Sequence, residues 1–384
     1  MSRHLVVTWD GAGNQLPTLG ITRALVEAGH DVRLLGHDTV RERCGDAGAR
    51  FRTLPPPVGW DEIENPDDTE AEIELLLDTL CLSESIAGAV ADELDREPAD
   101  VVLVDCMLFS AMNVAQGRGL PTAVLFHTPY TVFRGGPLVE MFAPGLERLN
   151  AQRVGLSLAP VASYAELHDS CDVVLAAVPR EFEPEAGDAA NVLRIGPVLD
   201  GPPLVLNPTH LDVSDGATPL VLVSLSTSEQ GQAPLLQRIV DAVATLPIRA
   251  VVTTGPSLDP ATVRAGANTQ VVSFVPHAEL LPSCSLVVTH AGLGTALTAL
   301  ANGVPMVCIP MGRDQFFNAE MVQALGAGRM LMPDADVATI AAASLEVLNE
   351  ASFGVAAKRM AMTIADCSGA AGAVAALEGL ASRG

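Results

Sequence analysis

The sequence is short of positive charge: 22 Lys and Arg stand against 46 Asp and Glu in 384 residues, a formal net charge of −24. No basic stripe is present to neutralise phosphates, which argues against a nucleic-acid surface and against nucleic-acid partners. Aromatic residues are also few, at 4%, while 49% of the chain is hydrophobic, so there is ample material for two cores built mainly from Ala, Val and Leu. A CxxC pair is missing. The seven cysteines (Cys44, Cys81, Cys106, Cys171, Cys284, Cys308 and Cys367) are scattered, and several sit in apolar runs as small hydrophobes do, which reads as a set of reduced thiols. No signal peptide precedes the first strand, since Arg3 and His4 lead straight into it, and no apolar run approaches bilayer length. The expectation is a soluble cytoplasmic protein without a membrane span. The densest charge run, nine acidic side chains from Asp61 to Asp78 with no Lys or Arg between them, reads as a solvated face.

What the sequence does have is a repeated strand–helix alternation. His4–Trp9 reads as a buried strand and Asp10–Gln15 as a tight loop. A helix begins at Leu16, with Pro17 in its first turn, Leu16, Leu19 and Leu25 on one face and Gly29 as its stop. The next strand is Asp31–Leu35, and this βαβ opening points to a parallel sheet. Further strands are expected at Phe51–Leu54, Val101–Val104 (ending in Asp105), Thr122–Phe126 (ending in His127), Val173–Ala176 and Val192–Ile195, with a helix through Ile86–Leu94. Residues 129–168 read as irregular to helical. Residues 196–218 have neither period and are rich in Pro, Gly and Asp, the composition of a linker. The alternation then restarts with strands at Leu220–Leu225, Ala250–Thr253, Val271–Val275 and Leu286–Thr289. The expected organisation is a first domain over 1–200, a linker over 201–218 and a second domain over 219–384. The Ala-rich end, Ser352 to Leu380, reads as helices with the option of packing back on the first domain.

Residues 285–318 carry the clearest chemistry. Strand formers Ser285–Thr289 run directly into His290, Ala291, Gly292, Leu293, Gly294 and Thr295, and a helix follows as far as Gly303–Pro305. A second buried strand, Met306–Ile309, leads to Asp314 and Gln315. A glycine-bearing turn on a helix N-terminus presents unpaired N–H groups at the positive end of the helix dipole, and an imidazole stands beside it, so we read it as a diphosphate cradle. Open parallel sheets bind ligands at the carboxyl ends of their strands. That rule collects Asp10, Asn14, Asp105, His127, Ser226, Thr227 and His290 around one cleft between two doubly wound α/β domains.

The stretches THAGLGT, GVPMVCIPMGRDQFFNA, the preceding FVPH and the opening GITRALVEAGHDV together resemble the family 1 glycosyltransferases of the GT-B fold. The likeness is to the actinobacterial enzymes that glycosylate antibiotics and other natural products. It spans the chain and is strongest over 271–328. The resemblance implies two Rossmann-like domains, the first binding the acceptor and the second the nucleotide sugar. It implies that His290, Gly292, Gly294 and Thr295 hold the donor diphosphate, with Ser226 and Thr227 closing on the phosphates. It places the nucleobase against Phe274, Val275 and His277, and the sugar hydroxyls against Asp314 and Gln315. Charge grows on the departing diphosphate, and preorganised donors aimed at it supply electrostatic catalysis. Neither a metal nor a cofactor is then expected, the nucleotide sugar being a co-substrate.

The sequence departs from that family at one place. Members usually carry a histidine in the first loop that takes the acceptor's proton, oriented by an aspartate in the region of Asp105. Here the loop reads DGAGNQLP, and the matching residue is Asn14. An amide has no useful basicity near neutral pH. Asp105 freed of its partner, His127 and Asp10 remain as candidates for the base, and an acidic acceptor would need little help. Met107, Phe109, Met112, Tyr130, Phe133 and Met141 suggest an apolar or aromatic acceptor pocket, lined also by the Pro55–Leu80 region. His30 and His37 read as structural or exposed.

Other classes fit less well. Gly11-x-Gly13 lacks the third glycine of a dinucleotide fingerprint, since that position is Leu16, which argues against an NAD enzyme. A sugar-nucleotide epimerase of the same fold would need its own acid–base carboxylates, and no such set is evident. A non-catalytic relative, binding a nucleotide sugar or a partner transferase, is supported by the missing histidine and opposed by the intact donor signature. The expectation is an inverting, metal-independent glycosyltransferase moving a sugar from a dTDP- or UDP-linked donor to a hydrophobic natural product. The sugar, the acceptor, the linked atom (O, N or C) and oligomeric state, homodimer included, stay open.

Overall fold

The computed structural model describes residues 1–11, 13–56, 69–135, 137–184, 187–199, 218–225 and 231–383. The chain divides into two compact units, Met1–Pro202 with Cys367–Gly384, and Pro203–Asp366. Residues 61–68 of the acidic run and 201–217 of the linker, together with Ser226 and Thr227, lie outside the described residues.

The first unit holds a parallel sheet of seven strands: β1 (Arg3–Val7), β2 (Asp31–Gly36), β3 (Arg50–Thr53), β4 (Val101–Asp105), β5 (Thr122–Phe126), β6 (Val173–Ala176) and β7 (Val192–Arg194). Their order is β3-β2-β1-β4-β5-β6-β7. Strands such as VVLVD and TAVLF are buried along their whole length, as expected of parallel strands covered on both faces. The helix Gln15–Glu27 buries Leu19, Ile21 and Leu25, while Leu16, expected on the same face as Leu19 and Leu25, is only half-buried. The last helix, Gly369–Ala381, joins this unit. Its Ala370, Ala373, Val374, Leu377 and Leu380 share a core cluster with Leu19, Leu25, Leu103 and Leu125. Burying five such side chains on one helix face secures it by several kcal/mol at about 25 cal/mol per Å² of apolar surface.

The second unit holds a parallel sheet of six strands: β8 (Leu220–Ser224), β9 (Arg249–Thr253), β10 (Thr269–Val272), β11 (Leu286–Thr289), β12 (Met306–Cys308) and β13 (Gly328–Met330). The order is β10-β9-β8-β11-β12-β13. Strand β10 ends at Val272 rather than running to Val275. Its one neighbour, β9, stops at Thr253 opposite Val272; among the described residues only the Thr254 and Gly255 N–H groups still reach it, donating to the Val272 and Ser273 carbonyls, and Pro276 then opens a short helix. Among the described residues one stretch, Ala351–Ala381, has the length and hydropathy to cross a membrane (31 residues, 1.4). It consists of two helices, Ala351–Ala365 and Gly369–Ala381, parted by Asp366–Ser368, and each buries an apolar face in a different unit.

In both sheets the strand order reverses beside the first strand, between β1 and β4 and between β8 and β11. Crevices at the carboxyl ends of such strand pairs are where open α/β sheets bind ligands. Asp105 and the loop from Trp9 stand at the first of these points, and His290 stands at the second.

Candidate active site

In the first unit the β4–β5 register sets Asp105 opposite Leu125, which leaves His127 two residues further on, just past the end of β5. The imidazole reaches back, and its Nδ1 lies 2.9 Å from Asp105 Oδ2. Asp105 is almost fully buried and is surrounded by N–H donors. Trp9 Nε1 (3.1 Å) and the Met107 backbone N–H (3.0 Å) donate to Oδ1, and Asn14 Nδ2 (3.1 Å) donates to Oδ2. Asp105 is therefore not left without a partner by the loss of the loop histidine. His127 occupies the carboxylate from a neighbouring strand, and Asn14 has become one of its donors.

The protonation logic follows. Burial opposes ionisation of Asp105, but the facing imidazole and the converging N–H groups hold its pKa below the usual carboxylate value. Burial likewise opposes protonation of His127, yet the charge and hydrogen bond of Asp105 outweigh it and hold the imidazole well above its ordinary value. With Nδ1–H fixed on the carboxylate, the nitrogen that can accept a proton from a substrate is Nε2. The side chain is partly exposed, and a Cβ on Gly13 would come no nearer than 3.9 Å to the ring's Cδ2, next to Nε2. Cys106 Sγ lies 3.6 Å from Nδ1 on the other side, and burial raises its pKa, so it stays a neutral thiol.

Asp105, Cys106 and His127 also form a group whose possible ligand atoms fall within 4.8 Å of one another. Both oxygens of the carboxylate already take two N–H donors each, one of them from the imidazole itself. That is the surrounding of a proton-holding dyad rather than of a cation. Asp10, the remaining candidate base, is turned elsewhere: its carboxylate accepts from His37 Nδ1 (2.8 Å) and Thr39 Oγ1 (3.3 Å). His37 is buried in this pairing, and His30 ties Ser2 to Glu378 of the last helix.

In the second unit His290 follows β11, and Gly292 caps the helix Leu293–Ala301. A Cβ on Gly292 would sit 2.6 Å from His290 Nε2, so the ring lies directly against this residue, and only glycine leaves it that place. Burial lowers the His290 pKa to about 4, with a hydrogen bond to the Ser224 backbone acting against it. At neutral pH the imidazole is uncharged and offers a hydrogen bond rather than a cation. Burial also takes His277 down to about 4. Ala291 (φ 64°) and Arg313 (φ 56°) are two of the three non-glycine residues with left-handed backbone among those described, and they flank this turn and the loop that faces it. Such conformations cost of order 1–3 kcal/mol and gather at functional sites.

Asp314 stands at the N-cap of the helix Gln315–Ala324, but its side chain makes no capping bond. Its Oδ2 accepts instead from Asn318 Nδ2 (3.1 Å), and the same amide donates to the Ala291 carbonyl (3.0 Å). Asn318, which the sequence reading passed over, thus ties the His290 turn to the Asp314 loop. Its place one helical turn after Asp314 was the signal that could have found it. Gln315 turns its carbonyl oxygen onto the loop, accepting from the Met311 (2.8 Å) and Gly312 (3.2 Å) N–H groups. Val275 is buried and Phe274 half-buried in the segment after β10.

The aromatic residues expected to line an acceptor pocket are core instead. Phe109, Met112, Tyr130 and Phe133 are buried in one cluster, with Phe109 and Phe133 stacked edge to face at 5.8 Å, while Met107 and Met141 pack against it. Residues 57–68 of the Pro55–Leu80 segment lie outside the described residues.

Two parallel-sheet Rossmann-like units, with a dyad at one switch point and a glycine turn at the other, agree with what comparison with known proteins finds. Residues 237–378 match the model of the erythromycin biosynthesis protein CIII-like C-terminal domain. An L-demethylnoviosyl transferase of Streptomyces niveus is 27% identical over 375 residues, 94% of this chain and 93% of that one. The glycotransferase of kitacinnamycin superposes with a TM-score of 0.84 at 24% identity, covering 99% of both chains. The glycosyltransferase VinC in complex with dTDP superposes with a TM-score of 0.77 at 19% identity over the whole of both chains. The chain is a glycosyltransferase of the GT-B fold. Within that class it is similar to the enzymes of actinobacterial antibiotic biosynthesis, and its residues 237–378 carry the match to the CIII-like C-terminal domain.

Proposed function

We propose that this chain moves a sugar from a dTDP- or UDP-linked donor to a hydrophobic natural product, by a single inverting displacement that uses no metal. His127 is the general base. Its Nε2 takes the acceptor's proton as the acceptor atom attacks C1 of the sugar, while Asp105 holds Nδ1–H and stabilises the imidazolium that forms. The C1–oxygen bond to the diphosphate breaks, and its electron pair leaves on the β-phosphate. The amides of the Gly292–Thr295 turn and the neutral His290 donate to that growing charge, and Asp314 and Gln315 position the sugar. Phe274, Val275 and His277 carry the base of the nucleotide. The observation that carries this reading is the 2.9 Å contact between His127 and Asp105. It rebuilds the imidazole–carboxylate pair that Asn14 denies to the first loop, and so favours an enzyme over a binding-only relative.

The donor half is tested by thermal stabilisation in EDTA with dTDP, UDP, GDP, ADP and NAD. A ligand at 100 times its Kd raises stability by about 2.7 kcal/mol. A rise in Tm with dTDP or UDP alone is expected. A rise with NAD alone, or with no nucleotide, contradicts the reading.

A further inference from the structure

We infer that Trp9 and Asn14 are positioning residues that share out the charge of Asp105, so that His127 releases its proton at a lower pH than the bare pair would allow and can serve as a base. This rests on the dyad reading above. The difficulty it answers is physical. A buried carboxylate facing an imidazole with no other partner holds the imidazolium tightly, and a base that never gives up its own proton cannot accept another. Every neutral N–H that donates to the carboxylate lowers its attraction for that proton.

The first loop supplies two such donors to the two oxygens of Asp105. The Trp9 indole N–H reaches Oδ1, and the Asn14 amide reaches Oδ2, the oxygen that His127 also uses. Both look placed for the purpose. The Asn14 NH2 is surrounded by Thr8 Oγ1, the Trp9 carbonyl and Asp105 Oδ2, each at 3.1 Å, which fixes which end of the amide points inward. The same orientation leaves Asn14 Oδ1 buried with no partner among the described residues. Trp9 is admitted by Gly11, since a Cβ there would lie 2.6–2.9 Å from three atoms of the indole ring. The indole also meets the His127 ring edge to face, with centroids 6.4 Å apart.

The other titratable groups near the pair leave these donors in control. Cys106 faces His127 directly, and Cys81 and His168 lie within electrostatic reach of Asp105. Burial raises the pKa of both thiols and lowers that of His168 to about 4, so all three are uncharged near neutral pH. His168 in turn fixes the Cys106 carbonyl through Nε2 at 2.9 Å.

The test is the titration of His127 itself, followed by NMR of its ring resonances in the full chain, with His127→Gln used to assign them. Trp9→Phe removes one donor, Asn14→Ala removes the other, and Gly11→Ala displaces the indole without altering it. Each is expected to raise the His127 pKa by about half to one pH unit and to move the rising limb of the pH–rate profile by the same amount. An unchanged or lowered pKa in variants that still melt cooperatively overturns the inference. Should Trp9→Phe fail to fold, Asn14→Ala decides alone. Because titration does not depend on turnover, this failure is distinct from failure of the base assignment, which would show as undiminished transfer by His127→Gln.

Discussion

Asp105→Asn keeps the shape of the side chain at the centre of the first unit and removes its charge. Four N–H groups converge on the carboxylate: two on Oδ1, from Trp9 and Met107, and two on Oδ2, from Asn14 and His127. An amide keeps one acceptor oxygen, so one of these pairs must face an NH2. A buried donor left without an acceptor costs about 1–3 kcal/mol, and His127 can relieve its own share by moving its proton to Nε2. A net loss of roughly 3 kcal/mol follows, within the range for breaking a buried pair. For a unit of this size that is a fall in Tm of about 6–12 °C. The pH dependence fixes the cause. His127 is raised in the folded state, so its contribution is complete below the ordinary histidine value of about 6.5 and is lost as pH rises through the folded value. Asp105 is depressed, so its contribution is present above about 4 and is lost only in acid. Melting curves of wild type and Asp105→Asn between pH 5 and 9 should show the widest gap near pH 5–6 and a narrowing gap at higher pH. A gap that is constant, or that widens towards pH 9, would refute the pairing. Transfer should fall by about 10²–10⁴, since the relieved tautomer carries its proton on the atom that needs the lone pair.

Gly292→Ala places a methyl against His290 Nε2 and should abolish most of the Tm rise given by dTDP or UDP while costing the free protein no more than about 1–3 kcal/mol. An undiminished nucleotide effect would separate His290 from the diphosphate. Asn318→Ala removes the two hydrogen bonds that tie Ala291 to Asp314 and should weaken binding of the nucleotide sugar more than of the nucleoside diphosphate. Titration calorimetry with both ligands decides it, and equal losses would place the role of Asn318 in folding alone. Leu377→Ala should destabilise the first unit by about 2–5 kcal/mol and leave the melting of the second unchanged. Calorimetry showing both units shifted equally would deny that the last helix is part of the first.

Most strands were legible in the sequence because they are apolar runs between turn residues, though β13 was missed, since GRM at a sheet edge is too short and too polar to stand out. Strands β4 and β5 end where the periodicity stops. Asp105 and His127 were legible singly for the same reason, as polar residues at the ends of such runs. Their pairing was not. It depends on the β4–β5 register and on a side chain that doubles back, and neither leaves a trace in local composition. Trp9 was hidden differently, since a tryptophan closing an apolar strand reads as core until its N–H is seen on a carboxylate 96 residues away. The aromatic residues at Phe109, Tyr130 and Phe133 show the limit from the other side. A core and an apolar pocket call for the same side chains, and only burial tells them apart.

The central claim is that His127, held by Asp105, is the base. It is tested most directly by the pH–rate profile of sugar transfer, measured for wild type and His127→Gln with one donor and one acceptor that wild type turns over. The account predicts a wild-type rate that climbs with pH through the raised pKa of His127, and a variant slower by about 10²–10⁴ in which that limb is gone. A His127→Gln enzyme that keeps both the rate and the limb would contradict it.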